Sequence, residues 1–236
     1  ARSVWAASCT AHEPPTSVAL KVVDLEKQSS QKIVRLQAEV HRLGQLAHAN
    51  LVTLHTAFVA RGELWLVMQM HAAGSCADIM RVWGHAFEEA AVFGVLREVL
   101  PALEYLHDHD ILHRNLKSSN ILVDEHGAVR LTDIAVAGLL VEHGERLSTR
   151  QTFTGSPCWM APEMLEQKHG YGAAVDVWSL GITAIELATG KPPLAGEPPM
   201  KARRSSAAAA SRPASAPPPP RDGGSPPRTS PPRPRR

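Results

Sequence analysis

The side chains able to do chemistry are unevenly spread along the 236 residues. Twelve histidines raise metal binding first. His107 and His109 stand two apart and His113 four further on, but no cysteine pairs with them at zinc-finger spacing. They read as surface or core histidines. The three cysteines, Cys9, Cys76 and Cys158, are odd in number, far apart and in no CxxC arrangement. That excludes a disulfide scaffold and a zinc site. It fits buried or free thiols in a reducing compartment, hence a cytoplasmic location. Lys21 is different, because it lies inside the apolar run from Ser17 to Val23, where an exposed strand lysine does not fit. A second concentration of polar groups, His113 to Asn120, stands between the apolar pairs Ile111-Leu112 and Ile121-Leu122. Taken alone, Asn120 could cap a helix and Asp133 could hold a turn.

The elements that must position these groups follow from periodicity. Residues 17–23 have the pattern of a buried strand. Residues 29–46 carry Ile33, Leu36, Val40 and Leu43 at steps of three and four, which predicts an amphipathic helix. Residues 51–59 and 63–70 read as two strands joined at Arg61-Gly62. From Phe87 the apolar spacing through Val92, Val95, Val99, Leu103 and Leu106 predicts a long helix with Pro101 inside it. Ile121–Val123 and Val129–Leu131 flank a hairpin turn at 124–127. Residues 133–163 are polar, mixed and too long for an ordinary connection, so they read as a functional loop. Helical spacing returns over 175–187, with Gly190 as its stop.

Residues 111–122 resemble the catalytic loop of protein kinases, H-R-D-L-x-x-x-N, written here as His113, Arg114, Asn115, Leu116, Lys117, Ser118, Ser119 and Asn120. Asp133-Ile134-Ala135 resembles D-F-G, Ala161-Pro162-Glu163 matches A-P-E, and Val18-Ala19-Leu20-Lys21 matches V-A-I-K. Residues 155–163 and 63–68 look like those of sterile-20, germinal-centre-type serine/threonine kinases, nearest the SPAK and oxidative-stress-responsive subfamily. The resemblance implies an α+β, two-lobed kinase fold over residues 1–200, with an N-lobe at 1–70 and a C-lobe at 71–200. It implies ATP and Mg²⁺ as cofactors and a protein substrate or protein partner. Lys21 would meet the α- and β-phosphates, held by Glu39. Met68 and Met70 would line the adenine pocket, where the backbone of Gln69 to His71 bonds the base. Asp133 and Asn120 would supply oxygen ligands to Mg²⁺. Lys117 would neutralise the γ-phosphate, and Asp176 would brace the catalytic loop through backbone N–H groups. Thr152 stands where the subfamily carries an activating phosphothreonine, Arg114 could pair with that phosphate, and Ser156 aligns with a substrate-contacting position.

Four departures qualify that reading. Asn115 stands where the family has its catalytic aspartate, so the proton acceptor is missing and catalysis should be impaired, as in a pseudokinase. Ala135 replaces the glycine of D-F-G, which stiffens the segment. The match begins at the end of the glycine-rich loop, so the fold is expected to lack that strand. It stops after Lys201, so the last C-lobe helices are expected to be absent and Glu163 to be left half-buried without its arginine. An active or weakly active serine/threonine kinase, and a non-functional fragment or interaction module, are the alternatives.

Charge divides the chain at the same place. Residues 201–236 hold nine basic side chains against the single acid Asp222, a net charge of +8, leaving 16 basic and 22 acidic side chains in 1–200. This tail has no aromatic residue and no Ile, Leu, Val or Met, so it is expected to be disordered. Its Pro217–Pro220 run followed by Arg221 could serve an SH3-type partner. The acidic body argues against specific nucleic-acid binding. No apolar run approaches the ~20 residues of a membrane span, and the first fifteen residues lack the apolar core of a secretory signal.

Overall fold

A computed structural model describes residues 3–10, 16–134, 141–142, 145–146, 157–166 and 171–197. Thr152, Ser156, Ala135 and the tail lie outside them, and so does the side chain of Glu39. The N-terminal part is a four-stranded antiparallel sheet in the order β1 (Ser3–Cys9), β2 (Thr16–Asp24), β4 (Glu63–Gln69), β3 (Leu54–Ala60). Helix α1 (Ser30–Leu43) follows β2. Among the strands here, β1 was not expected from the sequence. It pairs with β2 over seven residues, Ser3 opposite Val22 through Cys9 opposite Thr16. Val4 and Trp5 on it are exposed, so it lacks the buried face that makes a strand legible.

The predicted strand at 51–59 begins only at Leu54. Leu51 instead forms a parallel bridge to Leu131, and Val52 N–H donates to the Leu131 carbonyl at 2.9 Å. The apolar residues 51–52 are thus claimed by another sheet, which periodicity cannot reveal. The β3–β4 hairpin turns at Arg61 (φ 51°) and Gly62 (φ 75°), consecutive positive φ values that suit the twist of the flanking strands.

The helical part is built on α3 (Glu89–Asp108) and α5 (Ala174–Thr189), with α2 (Cys76–Trp83) and α4 (Pro162–Glu166) shorter. A second sheet joins β5 (Gly74–Ser75), β6 (Ile121–Val123) and β7 (Val129–Leu131). The core gathers Val99, Ala102, Leu106, Leu116, Ile121, Leu131 and Leu187, all at most 1% exposed. Each such leucine contributes about 1.5–3 kcal/mol by burial. Pro101 is exposed on α3, on the side where a missing N–H harms the core least. Helix α2 was missed, although Ser75 and Asp78 cap it reciprocally. The expected functional loop at 133–163 contains, among its described residues, a 3₁₀ turn at Pro157–Trp159 and the start of α4. Glu163 points to solvent in the first turn of α4, so the expectation of a half-buried carboxylate is wrong. At a helix N-terminus an exposed carboxylate is favourable.

Candidate functional site

The site forms where the first sheet, the β6–β7 hairpin and α5 bring their ends together. Lys21 lies on β2 opposite Leu66 of β4. Its ammonium is ion-paired with the Asp133 carboxylate, 112 residues away in sequence. Both side chains are mostly shielded, 16% and 26% exposed, so the attraction is screened less than at a surface. Asp133 adopts φ 61°, a left-handed conformation that aspartate tolerates better than most residues. That conformation comes two residues after the end of β7, whose register therefore sets where the carboxylate emerges.

The polar run 113–120 is a closed hydrogen-bond ring. His113 is fully buried, and burial pushes its imidazole below its usual pKa, leaving it neutral. Its Nδ1 accepts from Asn115 N–H at 3.3 Å, so the proton sits on Nε2, which donates to the Thr132 carbonyl at 3.1 Å. Asn120 Nδ2 donates to the Asn115 carbonyl at 2.6 Å, and Thr132 N–H returns to the Asn120 carbonyl at 3.0 Å. Asn115, Asn120 and the segment leading to Asp133 are therefore held together, with Asn115 half-buried. The amide of Asn120 is oriented by its N–H donation, which leaves its Oδ1 as the oxygen available to a cation.

Helix α5 supplies the base of this ring. Asp176 is completely buried, and its Oδ2 accepts from His113 N–H at 2.8 Å and its Oδ1 from Arg114 N–H at 2.7 Å. His107 Nε2 lies 2.8 Å from Oδ2. Burial alone would raise the Asp176 pKa. The His107 bond and the two backbone N–H groups outweigh it and hold the carboxyl below its usual value. Arg114 is 3% exposed and, like Asp133, has positive φ, 61°. Its guanidinium bonds the Tyr171 hydroxyl and lies 5.0 Å from that ring's centre. Lys117 lies 5.7 Å from the centre of the Trp159 ring.

Met68 on β4 is half-buried, opposite Ala19 on β2 and Leu54 on β3, and Met70 follows the strand. Gln69 N–H is taken by the Thr53 carbonyl at 3.0 Å, and the His71 carbonyl accepts from Gly74 N–H at 3.1 Å. These two groups are thus already used within the chain. The His71 ring is buried with neither nitrogen hydrogen-bonded.

Of the residues singled out from sequence, Lys21, Asp133, Asn120 and Asn115 are brought together through these contacts. Arg114 is turned inward toward Tyr171, and Thr152, Ser156 and the Glu39 side chain lie outside the described residues. Sequence reasoning passed over Tyr171, Trp159, Ser118 and Glu186. The last left a readable signal, an acid in the apolar repeat of α5.

Residues 5–221 match the family model described as a protein kinase domain. The chain is 45% identical over 186 residues to the serine/threonine-protein kinase fray2 of Dictyostelium discoideum, covering 78% of this chain and 18% of that one. It is 44% identical over 197 residues to germinal center kinase 3 of Caenorhabditis elegans, covering 78% and 33%. It is 38% identical over 190 residues to the serine/threonine-protein kinase STE20 of Candida glabrata, covering 80% and 20%. The chain therefore spans between about a fifth and a third of the length of these relatives.

Proposed function

The chain belongs to the protein kinase family, and from that premise we propose that it binds Mg-ATP between Lys21 and Asp133 and transfers phosphate to serine or threonine only feebly. The observation that carries the reading is the Lys21–Asp133 ion pair, a cation and a carboxylate from distant parts of the chain meeting in a shielded site. Asn120 and Asp133 offer hard oxygen atoms, the donors that Mg²⁺ takes together with phosphate and water. Among the described residues no three His, Cys, Asp or Glu side chains gather as a metal cage. That donor set fits a cation held jointly by two side chains and a nucleotide. When bound, Mg²⁺ would neutralise phosphate charge.

The chain's own residues then divide the work. Lys21, released from Asp133, holds the α- and β-phosphates. Lys117 compensates charge on the transferring group. Asn115 stands where the substrate hydroxyl must be deprotonated. Its amide orients that hydroxyl, but its carbonyl oxygen is far too weak a base to take the proton. Loss of a general base costs about 10²–10⁴ in rate, roughly 3–5 kcal/mol of barrier.

Thermal denaturation with millimolar Mg-ATP tests the binding half. The parent should be stabilised, by about 0.4 kcal/mol when the nucleotide is at its Kd and more above it, and Lys21→Ala should remove the effect. An unshifted parent contradicts nucleotide binding.

A further inference from the structure

We propose that Glu186 is a positioning residue for Lys117, acting through Trp159 and Ser118. The inference rests on the nucleotide reading above and deepens it. Glu186 lies in the last turn of α5, where the helix dipole disfavours a carboxylate, and it is 7% exposed. No cation lies within ion-pair distance of it among the described residues, so neither charge pairing nor solvation accounts for it. Three donors converge on it instead. Ser118 N–H reaches Oε2 at 3.0 Å, Ser118 Oγ–H reaches Oε1 at 2.6 Å, and Trp159 Nε1–H reaches Oε2 at 2.9 Å. Such a network is costly to bury unless every member is satisfied, and then it rigidifies what it joins.

It joins two residues beside Lys117, one its neighbour in the chain and one its neighbour in space. Ser118 follows Lys117 in the chain, and its N–H bond to Glu186 fixes the peptide from which the lysine side chain departs. Trp159 carries the ring over which the ammonium lies at 5.7 Å. Trp159 is held through both side chain and backbone, its indole N–H by Glu186 and its backbone carbonyl by Ser179 Oγ–H at 2.9 Å. Asp176, Ser179 and Glu186 occupy positions i, i+3 and i+10 of α5, one face of the helix. The same face therefore holds the catalytic-loop backbone through Asp176 and aims the lysine through Glu186. A fixed ammonium distinguishes a nucleotide with a γ-phosphate from one without, because only the former reaches it.

The test compares Mg-ATP and Mg-ADP affinities of the 236-residue chain with those of Glu186→Gln. Glu186→Gln should cut the preference for ATP over ADP by about fivefold and leave ADP affinity unchanged, the size expected from one displaced cation–π contact. Lys21→Ala should weaken both nucleotides together. If Glu186→Gln does not fold, Trp159→Phe serves, since it keeps an aromatic face but cuts the bond to Glu186. An unaltered ATP-to-ADP ratio, or an equal loss of both, overturns the proposal. A parent that binds neither nucleotide refutes the functional reading instead. A second measurement then decides this one. After reductive ¹³C-methylation, the Lys117 resonance, assigned through Lys117→Arg, should be shifted by the Trp159 ring current in the parent. It should move to its solvent position in Glu186→Gln. A shift that persists in that variant overturns the proposal without reference to any nucleotide.

Discussion

His71 carries a cost that pH exposes. It directly follows Met70, the residue is 5% exposed, and neither ring nitrogen has a hydrogen-bond partner. Burial is the main cause of its lowered pKa, the nearby Arg130 adds to it, and Asp124 opposes both. The folded chain therefore keeps this ring neutral, whereas the unfolded chain protonates it at about 6.5. A lowered folded-state pKa means stability is fully present above the unfolded value and is lost as pH falls below it. The slope is at most about 1.4 kcal/mol per pH unit for one group. Buried His113, lowered first by burial, acts in the same direction. His71→Leu should consequently be more stable than the parent at pH 5.5 and closer to it at pH 7.5, as urea denaturation at the two pH values would show. A difference that does not change between the two pH values would mean the ring is solvated in the folded chain.

At the scale of elements, α2 and α5 show how local chemistry and long-range demand divide the work. Helix α2 is fixed at its start by a reciprocal cap. Asp78 N–H donates to Ser75 Oγ at 3.1 Å, while Ser75 N–H donates to Asp78 Oδ2 at 3.1 Å. The bond from the Ser75 hydroxyl is the main reason the Asp78 carboxyl lies below its usual value. Ser75→Ala should cost about 1 kcal/mol in denaturant-measured stability. A neutral substitution would show that burial of Cys76 and Met80 alone holds the helix. This cap was present in the sequence, but a helix of eight residues offers too few turns for periodicity to stand out. The long helices α1, α3 and α5 were legible because each repeats its apolar face several times. Helix α1 ends at Leu43, short of the expected Leu46, with Gly44 taking its last N–H bond to Val40. What the sequence could not show was how α5 is used. Asp176, Ser179, Thr183 and Glu186 interrupt its apolar pattern, and only the folded chain reveals that Asp176, Ser179 and Glu186 bond the segment 113–118 or Trp159.

Across the whole molecule, two kinds of contact among the described residues join the N-terminal part to the rest. One is structural. Asn50 Nδ2 bonds the Val129 carbonyl at 3.0 Å and the Glu98 carboxylate at 3.0 Å, and Leu131 N–H reaches the Asn50 carbonyl at 2.8 Å. The other is the Lys21–Asp133 pair, which a nucleotide would have to open. The motif resemblance singled out Lys21, Asn120 and Asp133 from spacing along the chain alone, and the structure brings Lys21 and Asp133 into contact. The inward turn of Arg114 to Tyr171 was not legible, since Tyr171 lies 57 residues away and nothing local links the two. On the function proposed above, the site keeps its charge-neutralising groups and lacks a proton acceptor at Asn115. The most direct measurement is phosphotransfer from radiolabelled Mg-ATP to a generic basic protein, by the parent and by Asn115→Asp. A rise of about 10²-fold or more on restoring the carboxylate is the result the account predicts. Robust transfer by the parent, unchanged by Asn115→Asp, would contradict it.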